Sequence, residues 1–174
     1  MSAMERYLDM ISHCDYNDFA AFEALISDKT CAVMMEPLQG EGGIISPTQE
    51  FVEGVRALCD KHNALLIFDE VMTGFRLSKG GAQELLGVTP DMTTLGKIIG
   101  GGFPVGAFAG RSDIMEVLDP FAEKVLLPHS GTFSANPVTM TAGRIAMEYY
   151  DQKAVADINE LTKSAVKQLE EAIK

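Results

Sequence analysis

Basic residues are scarce in this sequence, which has 14 Lys and Arg against 25 Asp and Glu and a formal net charge of −11 at pH 7. This charge disfavours non-specific attraction to nucleic acid and to anionic lipid, because both are negative. No apolar run approaches the roughly 18 residues needed to cross a bilayer, and the first residues lack the order of a signal peptide. We therefore predict a cytoplasmic protein with neither nucleic acid nor a membrane as a partner.

Cysteine is also rare, with only Cys14, Cys31 and Cys59. Their odd number and their spacing argue against a disulfide framework and against a zinc site. Free thiols that are buried or half-buried are expected instead. The histidines share no motif, and His62 is expected at the C-terminal end of a helix, where its partial charge is favourable.

Short apolar runs alternate with helical patterns along the chain. Residues 31–35 form a continuous apolar run that stops at Glu36, as a strand buried on both faces would. Residues 48–63 place apolar side chains on one helical face, and residues 64–68 are again wholly apolar. Because a strand, helix and strand in this order make parallel neighbours, the pattern predicts an α/β fold with a predominantly parallel sheet flanked by helices.

The remaining segments extend this pattern. Further apolar strands are predicted at residues 92–95 and 105–109, and helices at residues 18–28, 113–118, 138–150 and from 155 onward. In open α/β sheets, ligands bind in the loops at the carboxyl ends of the strands. The candidate functional residues are therefore sought there.

Asp69 lies at such a strand end. An ionised carboxylate needs a cationic partner there, because a buried and unpaired charge is strongly disfavoured. Two partners are open from the sequence: the protonated ring nitrogen of a pyridine cofactor, or an arginine such as Arg56, Arg76 or Arg111.

Lys97 is the second candidate. Leu95, Ile98 and Ile99 surround it with apolar side chains, and glycines at 100–102 let backbone approach a bound ring or phosphate. Desolvation would lower the pKa of the amine and make it a nucleophile, whereas the alternative is a solvated surface lysine. The segment is not a P-loop and no G-x-G-x-x-G occurs, so a nucleotide-binding domain ranks last.

Asp69 and Lys97 together match the needs of a pyridoxal phosphate enzyme. A lysine amine holds the aldehyde of this cofactor as a Schiff base, and a carboxylate keeps its ring nitrogen protonated. Thr132, in a Gly-Thr pair before a predicted helix, offers a hydroxyl for a phosphate clamp, or is simply part of a capped loop.

Three ordered motifs carry a resemblance to a known family. They are FDEVMTGFR at 68–76, GVTPD at 87–91 and LGKIIGGGFPVGA at 95–107. These motifs closely resemble the class III aminotransferases, a family of fold-type I pyridoxal-phosphate enzymes, and most of all their glutamate-1-semialdehyde 2,1-aminomutase branch. The resemblance extends from about residue 32 to about residue 150.

The resemblance implies a role for each site residue. Lys97 would be the Schiff-base lysine, Asp69 the partner of the pyridine nitrogen, and Val71 a contact to the ring face. Thr132 would bind the phosphate of a pyridoxal 5'-phosphate held mainly by the other subunit of a homodimer, with the active site at the subunit interface. The substrates would be a small-molecule amino donor and a carbonyl acceptor.

Two details leave the reaction open. The segment at 36–43 resembles the ω-aminotransferases, because it carries Glu41-Gly42 where the aminomutases usually carry Asn-Met. Conversely, Met72 stands where many transaminases carry a glutamine. Both amino transfer between two molecules and amino migration within one molecule therefore remain possible.

Members of the family are much longer, so we expect this chain to be a fragment. Residues 1–150 would form part of the large cofactor-binding domain, and residues 151–174 a helix that leads toward a C-terminal small domain. The phosphate-binding loop and the substrate-binding arginine would lie outside it. The non-enzymatic alternative is a folding or dimerisation module that no longer binds the cofactor.

Overall fold

Four strands form one sheet in the computed structural model, which describes residues 10–173. The strands are β1 (Ala32–Met35), β2 (Leu65–Asp69), β3 (Met92–Gly96) and β4 (Gly106–Gly110). They lie side by side in sequence order; β1 and β2 are parallel, β2 and β3 are parallel, and β3 and β4 are antiparallel. The predicted α/β fold with a predominantly parallel sheet is confirmed.

Six α-helices accompany the sheet within the described residues. They are α1 (Phe19–Leu25), α2 (Gln49–Lys61), α3 (Gly81–Leu86), α4 (Ser112–Met115), α5 (Pro137–Tyr149) and α6 (Gln152–Ile173). Two 3-10 turns, Lys97–Gly100 and Glu116–Leu118, follow β3 and α4. Across the part of the chain that the structure describes, no helix combines the length and the apolar character needed to span a membrane.

Helices α1, α2 and α5 begin at residues that favour a helix start. The Asp18 carboxylate accepts a hydrogen bond from the Ala21 amide at 2.9 Å, and the Thr48 hydroxyl accepts one from the Phe51 amide at 3.1 Å. Pro137 occupies the first turn of α5, where its missing N–H costs nothing. These starts agree with the sequence predictions.

The hydrophobic core lies between α1, α2 and the β1–β2 half of the sheet. Leu66 and Phe68 of β2 are fully buried, as are Val52 and Cys59 of α2. The whole core cluster consists of Phe22, Ile26, Phe51, Val52, Val55, Leu58, Cys59, Ala64, Leu66, Phe68 and Val88. The predicted apolar face of α2 is therefore the face that packs on the sheet.

Two expectations about burial are wrong. Met34 of β1 is 60% exposed, because side chains alternate along a strand and its neighbours Val33 and Met35 are the ones that pack against the core cluster. Cys14 and Cys31 are exposed, since both lie in segments that flank α1 rather than in the core. Cys59 alone behaves as expected, and its burial raises the pKa of the thiol to about 11.

A network of charged side chains lies at the amino ends of β2 and β3, opposite their carboxyl ends. Asp91 is 7% exposed and accepts hydrogen bonds from the Leu66 amide at 2.8 Å, from Arg56 at 2.9 Å and from Arg111 at 2.6 Å. Burial raises the pKa of Asp91, but these bonds outweigh burial and hold the pKa below its ordinary value. The network joins α2, β2, β3 and the end of β4.

Candidate functional site

The two principal candidates lie at the same edge of the sheet. Asp69 is the last residue of β2 and pairs in register with Thr94 of β3. Lys97 follows the last residue of β3 directly and begins the 3-10 turn. Because β2 and β3 are parallel, their carboxyl ends bring the carboxylate-bearing and lysine-bearing segments to the same edge of the sheet.

Asp69 is half-buried and is fixed through one of its two oxygens. Oδ1 accepts hydrogen bonds from the Thr94 hydroxyl at 3.1 Å and from the Val71 amide at 3.0 Å. Among residues 10–173, Oδ2 accepts no hydrogen bond from another group. The carboxylate is thus held in orientation while one oxygen stays available to an external donor.

No arginine of the described chain pairs with Asp69, so the ion-pair alternative raised by the sequence is wrong for residues 10–173. Arg56 and Arg111 bind Asp91 at the far end of the strands. Arg76 donates from Nε to the Met72 carbonyl at 2.9 Å.

Val71 links Asp69 to the lysine turn. Its backbone amide donates a hydrogen bond to the Asp69 carboxylate. Its side chain lies against the backbone of Gly96, the residue before Lys97. A Cβ at position 96 would lie 3.3 Å from Val71 Cγ1, which is tighter than nearly all real Cβ contacts. Val71 therefore contacts the lysine segment through its side chain and the Asp69 carboxylate through its backbone.

Lys97 differs from its prediction in one respect, because it is exposed rather than enclosed by Leu95, Ile98 and Ile99. The reason is its position: β3 has ended at Gly96, and the turn begins beyond the edge of the sheet. Its φ is +49°, a left-handed conformation that a non-glycine residue adopts at a cost of about 1 kcal/mol or more. Such strain is frequent at functional sites and is kept only where the surroundings impose it.

One of the glycines after Lys97, Gly101, packs against helix α5. A Cβ on Gly101 would lie 2.4 Å from the Ala142 carbonyl oxygen, and one on Gly143 would lie 2.1 Å from the Ile99 carbonyl oxygen. Backbone therefore packs directly on backbone where α5 meets the 3-10 turn. Helix α5 fixes the position of the turn that carries Lys97.

Thr132 lies apart from this cluster. It is exposed in the turn at 132–135, ahead of α5. Within the described chain, no hydrogen bond joins it to Asp69, Val71 or Lys97. The structure thus assembles three of the four predicted site residues at one sheet edge and leaves the fourth on a separate surface loop.

The glycine-rich loop after β1 packs beside the same edge. The Gly40 amide donates to the Glu36 carboxylate at 3.0 Å, and the Met72 sulfur approaches so closely that a Cβ at position 40 would lie 2.1 Å from it. Glu41 is exposed. The two positions that leave the reaction open in the sequence, Glu41 and Met72, therefore belong to neighbouring segments.

Sequence reasoning assigned no role to Thr94 or Glu70. Thr94 fixes Asp69, and only the strand register reveals this. Glu70 is 1% exposed and accepts four hydrogen bonds, although it stands next to the half-buried Asp69. The alternation of side chains along a strand was the available signal, because it sends adjacent carboxylates to opposite faces.

Comparison with known proteins places these residues in a family context. The family model for Aminotransferase class-III matches residues 3–174. Glutamate-1-semialdehyde 2,1-aminomutase of Syntrophobacter fumaroxidans is 47% identical over 161 residues, which are 90% of this chain and 36% of that protein. The protein of the same name from Sulfolobus acidocaldarius is 47% identical over 152 residues, covering 87% of this chain and 36% of its own length.

Solved structures give the same fold. An omega-transaminase from Sphaerobacter thermophilus is 41% identical with a TM-score of 0.82, over 86% of this chain and 34% of that one. A structure described as a transaminase with PLP bound is 37% identical with a TM-score of 0.82, over 86% of this chain and 36% of that one. The chain thus spans about a third of the length of the relatives that it matches.

Proposed function

The chain belongs to the class-III aminotransferases, and from this membership we propose that it carries the central part of a pyridoxal 5'-phosphate site for amino-group transfer. Its substrates would be a small-molecule amino donor and a carbonyl acceptor. The observation that carries the proposal is the arrangement of Asp69, which is fixed through Oδ1 and accepts no hydrogen bond at Oδ2 within residues 10–173, beside the strained turn of Lys97.

The residues present fit this cofactor. When bound, pyridoxal phosphate supplies an aldehyde and a protonated ring that withdraws electrons from the substrate. Asp69 Oδ2 would accept a hydrogen bond from the protonated ring nitrogen, and the fixed orientation of the carboxylate avoids the cost of ordering it on binding. Val71 would contact the ring face with its apolar side chain. Lys97 Nζ would hold the cofactor covalently and, once displaced by an incoming amine, would accept and return a proton as general base and acid.

Thr132 has a separate proposed role. Its exposed loop is independent of the Asp69–Lys97 cluster, which suits a hydroxyl that binds the cofactor phosphate of a second subunit. We propose a homodimer in which this loop completes the partner's site. The likeness to dimeric members of the family supports this arrangement.

A second reaction is favoured by a specific finding. The curated relatives at 46–47% identity are named glutamate-1-semialdehyde 2,1-aminomutase, which moves an amino group within one molecule. Such an enzyme needs no second amino acceptor. Conversion of glutamate-1-semialdehyde without any added donor or acceptor would favour the aminomutase, whereas a strict requirement for both would favour intermolecular transfer.

The decisive experiment is titration of the chain with pyridoxal 5'-phosphate, followed by borohydride reduction and peptide mapping. We expect a saturable visible absorbance and covalent label at Lys97. The variant Lys97→Ala should lose both, while the matched control Lys79→Ala, which removes another exposed lysine, should keep both.

Label spread over several lysines, or absorbance that Lys97→Ala retains, would contradict the assigned role of Lys97. A wild-type chain that gives no saturable signal would instead favour the non-enzymatic alternative, a folding or dimerisation module.

A further inference from the structure

Glu70 is a buried carboxylate with no assigned task. It is 1% exposed, and its Oε2 accepts hydrogen bonds from the Thr73 hydroxyl at 2.8 Å and the Ala82 amide at 2.7 Å. Its Oε1 accepts from the Gln83 amide at 3.1 Å and the Gln83 side chain at 3.0 Å. No Lys, Arg or His pairs with it within residues 10–173.

Both oxygens of this side chain face hydrogen-bond donors, so both must act as acceptors. Four donors converge on two oxygen atoms, so a carboxylate satisfies every donor without a cation. An amide in its place would turn its NH2 group toward a backbone N–H, that of Ala82 or that of Gln83, whichever way it was oriented. Leaving such buried groups unpaired costs more than an ordinary hydrogen bond contributes.

The same residue is tied to the site through its backbone. The Glu70 amide donates to the Thr94 carbonyl at 3.0 Å, and Thr94 is the residue whose hydroxyl fixes Asp69. The Glu70 carbonyl accepts from the Gly74 amide at 2.8 Å, which closes the turn that begins with Val71. Glu70 therefore holds both ends of the segment at 71–81. Its backbone fixes the start of the segment, and its side chain fixes the end.

The segment is built around this carboxylate. Gly81 has a φ of +76°, and a Cβ there would lie 2.3 Å from Glu70 Oε2. Only glycine meets both demands without strain. The backbone at Gly81 thus lies directly against the Glu70 carboxylate. If this carboxylate moved, the segment that starts at Val71 would lose the contact that fixes its far end.

We propose that Glu70 is a positioning residue that holds Asp69 and Val71 in place from the opposite face of β2. Its relevance to catalysis rests on the proposed function, in which Asp69 and Val71 face the cofactor. Glu70 itself contacts neither cofactor nor substrate in this assignment and acts only through its two neighbours.

Amide hydrogen exchange in the isotope-labelled chain without cofactor tests the proposal. The reporter is the Val71 amide, which donates to Asp69, and its rate is read relative to Val55 in α2 as a measure of global stability. In Glu70→Gln we expect the relative exchange of Val71 to rise about tenfold or more, because the buried donors lose an acceptor. A purely structural role would accelerate both amides equally.

Two further variants complete the design. Glu84→Gln removes an exposed carboxylate from α3 that binds the Gly80 amide, so it should leave the exchange of Val71 unchanged. Thr73→Val removes one of the four donors and should raise the relative rate by a smaller factor, which keeps the test valid if Glu70→Gln does not fold. Equal relative rates in Thr73→Val and Glu84→Gln would overturn the proposal.

The cofactor experiment separates this inference from the proposed function. With pyridoxal 5'-phosphate, Glu70→Gln should shift the pH midpoint of the visible absorbance, while Glu84→Gln should match the wild type. A wild-type chain without absorbance dependent on Lys97 would contradict the proposed function. The exchange rates would still decide whether Glu70 positions Asp69 and Val71.

Discussion

Replacement of Gly143 by alanine tests whether α5 sets the position of the lysine turn. Alanine normally stabilises a helix interior relative to glycine by about 1 kcal/mol. Here the new Cβ would lie 2.1 Å from the Ile99 carbonyl oxygen, whereas ordinary van der Waals contact begins at 3.4 Å. The obstacle is backbone, so rotation of a side chain cannot relieve it, and α5 or the turn must retreat by about 1 Å.

The clash is expected to reverse the usual sign of the substitution. Overpacking in a well-packed interior costs about 1–3 kcal/mol, and a backbone obstacle belongs at the upper end of this range. Against the gain in helix propensity, the net loss in the free energy of unfolding for Gly143→Ala is therefore about 1–2 kcal/mol. The displaced turn should also lower the yield of cofactor trapped on Lys97.

Urea denaturation followed by circular dichroism measures the first effect, and borohydride trapping the second. Thr141→Ala is the matched control, because Thr141 is exposed in the same helix and its replacement should stabilise by a few tenths of a kcal/mol. Gly143→Ala could instead prove as stable as Thr141→Ala, with a normal yield of cofactor trapped on Lys97. The close packing of α5 on the turn would then contribute nothing to stability or to the position of Lys97.

Three other outcomes are expected. Asp91→Asn should lower the free energy of unfolding by about 2 kcal/mol near neutral pH, since it removes a buried charged acceptor from Arg56 and from the partly exposed Arg111. Because the pKa of Asp91 is depressed in the folded state, this contribution is present above its unfolded value of about 4 and is lost as the pH falls through the folded value; a constant difference from the wild type at all pH values would contradict the pairing. A thiol reagent at pH 8 should modify Cys14 and Cys31 in the native chain and Cys59 only after unfolding, as mass spectrometry would show; native labelling of Cys59 would refute its burial. Asp69→Asn should retain the fold by circular dichroism but weaken the visible absorbance with pyridoxal phosphate at least tenfold, because an amide cannot stabilise a protonated ring nitrogen; unchanged absorbance would remove Asp69 from the site.

Local patterns in the sequence were sufficient for the elements near the core. The apolar face of α2 and the continuous run in β2 predicted both elements, because each buries its side chains against the other. The strand–helix–strand order predicted that the strands before Glu36 and Asp69 are parallel, whereas the parallel pairing of β2 with β3, which brings the Lys97 segment to the same edge, is seen in the structure. Periodicity and connection length therefore predicted the fold class, but they did not predict the antiparallel pairing of β4 or the short helix α3.

Exposure was less predictable, because it depends on which segments cover a strand or a turn. Met34 belongs to an apolar run but lies on the face of β1 opposite to Val33 and Met35, which pack against the core cluster. Lys97 has apolar neighbours in sequence, yet it begins a turn outside the sheet and is exposed. The contact between Gly143 and Ile99 joins residues that are far apart in the chain, and no local pattern encodes it.

The adjacent carboxylates of Asp69 and Glu70 show how one strand can separate two chemical roles. Strand alternation sends Glu70 to a buried face where four donors saturate it, so it has no capacity left for a ligand. Asp69 faces the other side, where two donors occupy one oxygen and the second oxygen stays unbonded among the described residues. In an Asp-Glu pair of this kind, the carboxylate that keeps an oxygen without a hydrogen bond is suited to bind a cationic ligand. The carboxylate whose oxygens are fully hydrogen-bonded is suited to fix the position of its neighbour. The order of the two residues along the chain, rather than their identity as acids, decides which one binds the ligand and which one positions its neighbour.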